Sequence, residues 1–474
     1  MEFNSIEFIN IFFPICLLSC SVFPKQTGYI LIISSSIFYA WNSSIGFILL
    51  IISAILVHNK RNQNTNINGS KILLIFFLIL PFLFFRSSSI LVEIIPIIAN
   101  INQTYPESLI LPAGVSFYTF QLIGFLFDEN PDSDEITLKE SILFTLFFPQ
   151  LIAGPIERAT DLIPQIKSLF IKGLVFDKEE INKGLYLVSL GLFLKTFLGD
   201  FLATQISQVI YQRGTYSALT LIFSNGMVIY FDFLGYTFIA LGLAKFFNIN
   251  LTLNFKRPYA SICVAEFWRR WHISLTNWFK DYIYKPFASR FNYSKVIIFF
   301  ATLIVFILTS QWHGFGIRFL IWGMGHFVFV ILSRGISPLC KNNFSKYLLW
   351  IISFFIINFL WLFFLYDLNN VFDIISQLFN YSSFDINNFP RKILLFAPIA
   401  FLSSLLLDPE EIIKYPKEIK NEIENNDLVI LPEISKKITR LFLKITYNKI
   451  FIIFFLSSAI AFFTYSRTFI YFRF

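Results

Sequence analysis

Histidine is the residue type in this chain best suited to taking up and returning a proton near neutral pH. The sequence holds four histidines: His58, His272, His313 and His326. His58 opens the charged run HNKR, which predicts a solvated side chain, and His326 lies in an apolar run, which favours a hydrogen-bonded core side chain. His313 differs because it stands in SQWHGFG, between two long apolar runs. Ionisable residues at membrane depth are costly and often mark a functional site.

The apolar stretch 296–333 is too long to be a single membrane helix. At 1.5 Å per residue it would measure about 57 Å, nearly twice the hydrocarbon thickness of a bilayer. The sequence therefore predicts a break at Gly314 and Gly316, which places His313 at a helix end where water or substrate can enter. The structural alternative is a histidine that only caps a helix terminus.

The surrounding residues narrow the chemistry that such a histidine could perform. A metal site is disfavoured, because the chain has no HExxH motif and its four cysteines are scattered. No GxSxG elbow is present, and GFG and GMG lack the third glycine of a dinucleotide site. General acid–base catalysis remains, in which a neutral imidazole takes a proton from an alcohol that attacks a thioester carbonyl. No metal and no bound cofactor are expected.

The elements that position these residues are predicted to be membrane helices. Hydrophobic residues make up 56% of the 474 residues and charged residues 14%, and the mean hydropathy is +0.65. This composition predicts an all-α, polytopic protein of the cell (cytoplasmic or inner) membrane with about ten to twelve spanning or re-entrant helices. The net charge of +8 lies in the loops, which favours anionic lipid headgroups over nucleic acid as partners. The long apolar runs are 28–57, 72–85, 107–127, 182–202, 217–245, 296–333, 347–366 and 450–465.

Two polar stretches stand out from the apolar chain. Residues 256–290 predict one basic, amphipathic helix at the membrane interface or over a cavity, with its tryptophans on one face, its charges on the other and His272 at the boundary. Residues 408–449 are compatible with one or two helices outside the membrane and are interpreted as a solvated connector rather than a functional segment. We expect a single integral-membrane domain over 1–474, with its motifs concentrated in 107–333. The apolar face of the amphipathic helix comprises Trp268, Trp271, Leu275, Trp278 and Tyr282.

Five stretches, in order, resemble the membrane-bound O-acyltransferase family. The resemblance is to its bacterial branch, which serves alginate O-acetylation and teichoic-acid D-alanylation. The chain departs from the family where Phe238 replaces a common acidic residue. The five stretches are GVSFYTFQ (114–121), FFPQLIAGPIERATDLIPQI (147–166), the run 230–259, EFWRRWHISLTNWFKDYIYKPF (266–287) and QWHGFGIRFLIWGMGH (311–326).

This resemblance implies a fold and roles for both motif histidines. The family fold is a ring of helices around a central channel, in which His313 would be the catalytic residue and His272 the second family histidine. The acyl donor would be a cytoplasmic thioester, either acyl-CoA or an acyl carrier protein. A soluble periplasmic acetyltransferase is an expected partner. Four further residues are expected to line the substrate channel: Trp271, Asn277, Gln311 and Trp312.

Three functions are compatible with these residues. The favoured one is transfer of an acyl group, with acetyl preferred, to a hydroxyl of an envelope polysaccharide or to a partner acyltransferase. The second is D-alanyl transfer from a carrier protein to an envelope polymer. The third is a channel or transporter without covalent chemistry. The third is disfavoured because the sequence predicts neither paired charges within the spans nor inverted repeats.

Overall fold

The structure is a computed structural model that describes residues 1, 3–41, 43–61, 69–94, 112–128, 135–210, 212–379, 390–414, 430–461 and 467. Within these ranges the chain is helical, and its one β pairing is the isolated antiparallel bridge between Phe255 and Trp271. The all-α prediction is confirmed. The ring of helices around a channel and the single domain stay predictions.

The chain divides into two compact units, and the first comprises Met1–Val188 and Ile239–Thr252. Its core is aromatic: the Phe148 ring lies 5.4 Å from Phe12 and 5.7 Å from Phe38. A capping box at Thr137 begins one of its helices, with the Glu140 side chain accepting from the Thr137 amide. Its helices are Phe8–Phe12 (π) running into Phe13–Val22, Pro24–Gln26 (3₁₀), Thr27–Ala40, Ser44–Arg61, Gly69–Ile94, Val115–Phe127, Leu138–Leu146, Phe148–Leu151 and Ala159–Lys172.

The second unit comprises Ser189–Phe238 and Leu253–Phe474 and contains both motif histidines. Two of the three unit boundaries fall inside the helices Lys178–Phe193 and Thr215–Lys245, and the third follows Thr252, between helices. The remaining helices of the second unit are Leu194–Asp200 (π), Phe201–Val209, Pro258–Ala260 (3₁₀), Val264–Arg270, Ile273–Phe279, Lys280–Tyr284 (π), Lys285–Ser289, Lys295–His313, Ile317–Ile336, Ser337–Leu339 (3₁₀), Asn343–Leu365, Leu368–Gln377, Arg391–Leu406, Pro409–Lys414, Pro432–Thr446 and Lys449–Ala461.

Six helices of the described ranges are long and apolar enough to cross a membrane, and two bent helix pairs raise the number to eight. Three shorter apolar helices accompany them. The predicted ten to twelve is reached only when the short and bent elements are included. The apolar run 28–57 comprises two helices, Thr27–Ala40 and Ser44–Arg61. Residues 107–111 of the predicted run 107–127 and residues 415–429 of the predicted connector 408–449 lie outside the described residues.

The break predicted in the run 296–333 is confirmed. One helix ends at His313 and the next begins at Ile317. A Cβ added at Gly314 would lie 2.0 Å from the Phe319 ring, which would then have to move. Gly316 has φ +136°, a backbone conformation that favours glycine. Glycine is therefore favoured at these two positions of the break for different physical reasons.

The prediction of one amphipathic helix over 256–290 is wrong. A helix ends at Arg270 and another starts at Ile273, and His272 between them has the left-handed values φ 45°, ψ 56°. The segment beside the break pairs with residues 254–256: the Lys256 amide donates to the Arg270 carbonyl at 3.0 Å. Because the helix is interrupted before Ile273, the five residues of the predicted apolar face do not lie on one continuous helix.

Paired charges also lie within the candidate spans, contrary to the sequence-based expectation. The Lys195 ammonium is 2.8 Å from an Asp200 oxygen and 3.2 Å from an Asp232 oxygen, and all three side chains are buried. Lys195 and Asp200 are five positions apart in one apolar run, whereas Asp232 is 37 positions from Lys195, so the hydropathy pattern contains no sign that Asp232 joins them. Their presence removes one argument against a transport role.

Candidate active site

His313 is the last residue of the helix Lys295–His313 and is buried among aromatic rings. Its ring centre lies 4.9 Å from Phe364, 5.3 Å from Trp322 and 4.5 Å from its neighbour Trp312. The helix ends at this residue because Gly314 and Gly316 follow. The imidazole therefore lies at a helix terminus inside the protein, as the sequence predicted.

His272 is positioned by the break between the helices Val264–Arg270 and Ile273–Phe279. Asn254 holds this turn, because its carbonyl accepts from the Ile273 amide at 2.9 Å and its side-chain oxygen accepts from the Ser274 hydroxyl at 2.7 Å. The His272 ring packs edge-on against Phe233 at 4.7 Å. Burial lowers the pKa of His272 well below its ordinary value, so the imidazole is neutral at pH 7.

Trp312 connects the two motif histidines. Its ring centre is 6.3 Å from that of His272 and 4.5 Å from that of His313. His272 and His313 are 41 positions apart in the chain, yet a single indole contacts both. The structure thus brings together three of the predicted site residues.

The other three predicted channel residues lie in different surroundings. Trp271 is buried in an aromatic cluster, with its ring 5.1 Å from Trp361 and 5.0 Å from Phe255. Asn277 is half-buried and accepts a hydrogen bond from Lys280 at 2.7 Å. Gln311 is half-buried, and its amide nitrogen is 3.4 Å from the Ser310 hydroxyl. Their role in a channel stays a prediction.

His326 is a buried core residue with a hydrogen bond, in accord with the simpler interpretation of its sequence context. The Trp268 indole N–H donates to its Nδ1 at 3.2 Å. An indole only donates, so Nδ1 must carry the lone pair and the proton of this neutral ring resides on Nε2. The sequence contains no signal for this pairing, because it joins residues 58 positions apart.

A cavity of about 250 Å³ lies beside Trp268, the hydrogen-bond partner of His326. Its wall follows the helix Lys295–His313 from Thr302 to Thr309, and Thr309 precedes His313 by one helical turn on the same face. At the Thr302 end, Arg334 donates to the Thr302 hydroxyl at 3.2 Å. The sequence signal for this cavity is Arg334, a cation that directly follows the apolar run 296–333. The lining is mainly apolar, with three cationic side chains: Arg269, Lys280 and Arg334.

The fold and the site define a class: a polytopic helical membrane protein with a buried histidine at a broken helix end and a second histidine one indole away. The sequence profile of MBOAT, the membrane-bound O-acyltransferase family, matches residues 121–372, which include both motif histidines. The chain therefore belongs to the membrane-bound O-acyltransferase family.

Individual relatives carry three kinds of name. A peptidoglycan O-acetyltransferase of Helicobacter pylori is 33% identical over 289 residues, 54% of each chain. A probable alginate O-acetylase AlgI of Pseudomonas aeruginosa is 28% identical over 383 residues, 77% of this chain and 72% of the relative. A teichoic acid D-alanyltransferase of Bacillus subtilis is 26% identical over 253 residues, 51% of this chain and 62% of the relative. The match covers about half the length of the Helicobacter pylori protein.

Proposed function

We propose that this protein transfers an acyl group, with acetyl preferred, from a thioester donor to a hydroxyl group of an envelope polysaccharide. The observation that carries the proposal is the placement of His313, buried at a broken helix end, with His272 on the other side of Trp312. The names of the similar proteins support O-acyl transfer to an envelope polymer.

In the proposed reaction, His313 acts as the general base. It takes the proton of the acceptor hydroxyl while the hydroxyl oxygen attacks the thioester carbonyl carbon. The carbon–sulfur bond then breaks, and the thiolate leaves and receives the proton. His272, which is neutral at pH 7, orients the donor or stabilises the negative charge that develops on the carbonyl oxygen.

The cavity beside Thr309 supports a donor that carries phosphate. Coenzyme A and the arm of an acyl carrier protein both bear phosphate, which arginine binds well. Arg269, Lys280 and Arg334 line the cavity and would hold that phosphate, while the apolar wall would guide the arm towards the turn that ends at His313. A soluble acetyltransferase that accepts the acyl group from this protein is compatible with the same site.

The first test is ester formation in cells that lack the native copy. We expect the intact protein to restore base-labile esters on purified envelope polysaccharide. We expect His313→Ala to lower them by about 10²-fold or more at equal membrane abundance, because a general base contributes about that factor. His58→Ala, in the other compact unit, is the matched control and should retain the esters.

The acid released from the polysaccharide decides between the two transferase candidates. Acetate identifies an acetyltransferase, whereas alanine identifies the D-alanyl transfer that the Bacillus subtilis relative's name favours. Equal ester levels in the intact protein and His313→Ala would overturn the general-base role. The absence of any ester, with each partner protein supplied, would favour the channel or transporter alternative.

A further inference from the structure

The helix Pro432–Thr446, hereafter the basic helix, has three distinct faces. At about 100° per residue the faces are separated by roughly 120°. The first face is buried and packs on the protein: Ser435 and Thr439 both donate to the Leu406 carbonyl, at 2.9 and 3.1 Å. The second carries the lysines. The third is the apolar stripe, which consists of Ile434, Ile438, Leu441 and Ile445.

The apolar stripe is open rather than packed. Its four side chains are between 36% and 59% exposed. Four adjacent aliphatic side chains at helical spacing would be costly to leave in water. The sequence prediction of a solvated connector therefore does not account for this part of the segment 408–449.

The helix that follows the basic helix indicates that a lipid bilayer covers the apolar stripe. Lys449–Ala461 is apolar all round, with Ile450, Ile453 and Ile460 strongly exposed, as expected for a helix inside a bilayer. The basic helix bends from it by 94°. If the apolar helix enters the bilayer near the normal, the basic helix must lie in the plane of the membrane.

The charges favour anionic lipid. Arg440 of the basic helix is bound to Glu411 at 3.2 Å, whereas Lys436, Lys437 and Lys444 have no ion pair within the described parts of the chain. These three lysines, the lysine face, lie beside the apolar stripe, where headgroups meet a helix that is half immersed. A lysine near an anionic membrane surface gains about 1 kcal/mol, or roughly a fivefold preference.

We propose that the basic helix is an in-plane membrane-binding element whose apolar stripe enters the acyl-chain boundary and whose lysine face selects anionic phospholipid headgroups. It stabilises the L-shaped arrangement with Lys449–Ala461 at the membrane surface. This assignment does not depend on the acyl-transfer reaction, since no residue of the basic helix contacts His272, Trp312 or His313.

Photocrosslinking tests the proposal in the full-length protein. The photoreactive residue p-benzoylphenylalanine is placed at Leu441 on the apolar stripe, at Lys444 on the lysine face, or at Ile453 as a bilayer control. Each protein is reconstituted in nanodiscs of equal phosphatidylcholine and phosphatidylglycerol, irradiated and analysed by mass spectrometry. We expect lipid adducts at Leu441 and Ile453, fewer at Lys444, and phosphatidylglycerol enriched about fivefold or more at Leu441.

A charge-neutral variant separates the two parts of the proposal. Lys436→Gln, Lys437→Gln and Lys444→Gln together should bring the two lipids to equal yield at Leu441 while total lipid adduct is retained. The proposal is overturned if Leu441 gives no lipid adduct while Ile453 does, or if irradiated native membranes yield a protein adduct there, which would assign the apolar stripe to a protein partner. Unchanged enrichment in the variant would overturn the role of the lysine face.

Discussion

Glu157 shows how burial can make one residue sensitive to pH. Burial raises the pKa of this carboxyl to about 7, although the Thr252 amide and hydroxyl donate to it at 2.6 and 3.0 Å. In the unfolded chain the pKa is about 4.3. Between these two pKa values the folded protein keeps a proton that the unfolded chain has released. The contribution of Glu157 to the free energy of unfolding is therefore fully present below about pH 4 and is lost as the pH rises to about 7.

We therefore predict that Glu157→Gln gains stability relative to the native protein as the pH rises. The difference in melting temperature between variant and native protein should be larger at pH 8 than at pH 5, by about 2 °C or more. Thermal unfolding in detergent measures it. Glu135→Gln, at an exposed position, is the control and should change the melting temperature little. A constant difference for Glu157→Gln would contradict the prediction.

Gly314 allows a second prediction at the scale of one residue. Its φ of 178° is extended backbone that any residue adopts, so the constraint is space: an added Cβ would meet the Phe319 ring at 2.0 Å. Gly314→Ala should displace that ring, which packs on Phe364 beside His313, and should lower both the melting temperature and ester formation.

The matched control for Gly314→Ala is another glycine in the neighbouring helix. Gly335 has nothing within 4 Å of an added Cβ, so Gly335→Ala should be neutral or stabilising by up to about 1 kcal/mol. Melting temperature and ester yield are measured together for both variants. Equal effects of the two substitutions would mean that space at Gly314 is not the constraint.

At the scale of elements, the turn between Val264–Arg270 and Ile273–Phe279 decides where His272 lies. The run EFWRRWHISLTNWF is compatible with an unbroken amphipathic helix, and local periodicity predicts one. The break arises from a contact distant in sequence, because Asn254 binds the turn at Ile273 and Ser274. Tertiary hydrogen bonds here outweigh helix periodicity.

This arrangement predicts energetic coupling between Asn254 and Ser274. Each alanine substitution removes the 2.7 Å hydrogen bond, so the double variant should lose less stability than the sum of the single variants, by about 0.5–1.5 kcal/mol. Denaturation of the four proteins of the cycle measures the coupling. Ester formation should fall in each single variant, because the turn positions His272. Additive losses of stability would contradict the prediction.

At the scale of the whole molecule, stability inside the membrane depends on a buried ion cluster as well as on aromatic packing. Lys195, Asp200 and Asp232 lie on two long helices that pack closely, since a Cβ at Gly235 would meet the Lys195 amide nitrogen at 2.8 Å. Removal of one partner from such a cluster leaves charge buried without compensation.

We predict that Lys195→Met destabilises the protein by about 3–5 kcal/mol. Lys285→Met is the control: it breaks the 2.9 Å pair between the exposed Lys285 and the half-buried Asp281 and should cost about 1 kcal/mol or less. Melting temperature in detergent and membrane abundance report the effect. Adding Asp200→Asn and Asp232→Asn to Lys195→Met should recover much of the loss. Equal shifts for the two lysine variants would contradict this account.

The sequence by itself determined the class of fold, the helix break after His313 and the identity of the two motif histidines. These features are local, since hydropathy, a pair of glycines and short motifs each occupy a few neighbouring positions. Only the tertiary structure decided that Trp312 connects His272 to His313, that Asn254 interrupts the predicted amphipathic helix, and that Asp232 joins Lys195 and Asp200 in one buried ion cluster. Each of these depends on side chains far apart in the chain, and periodicity carries no information about which distant residues meet.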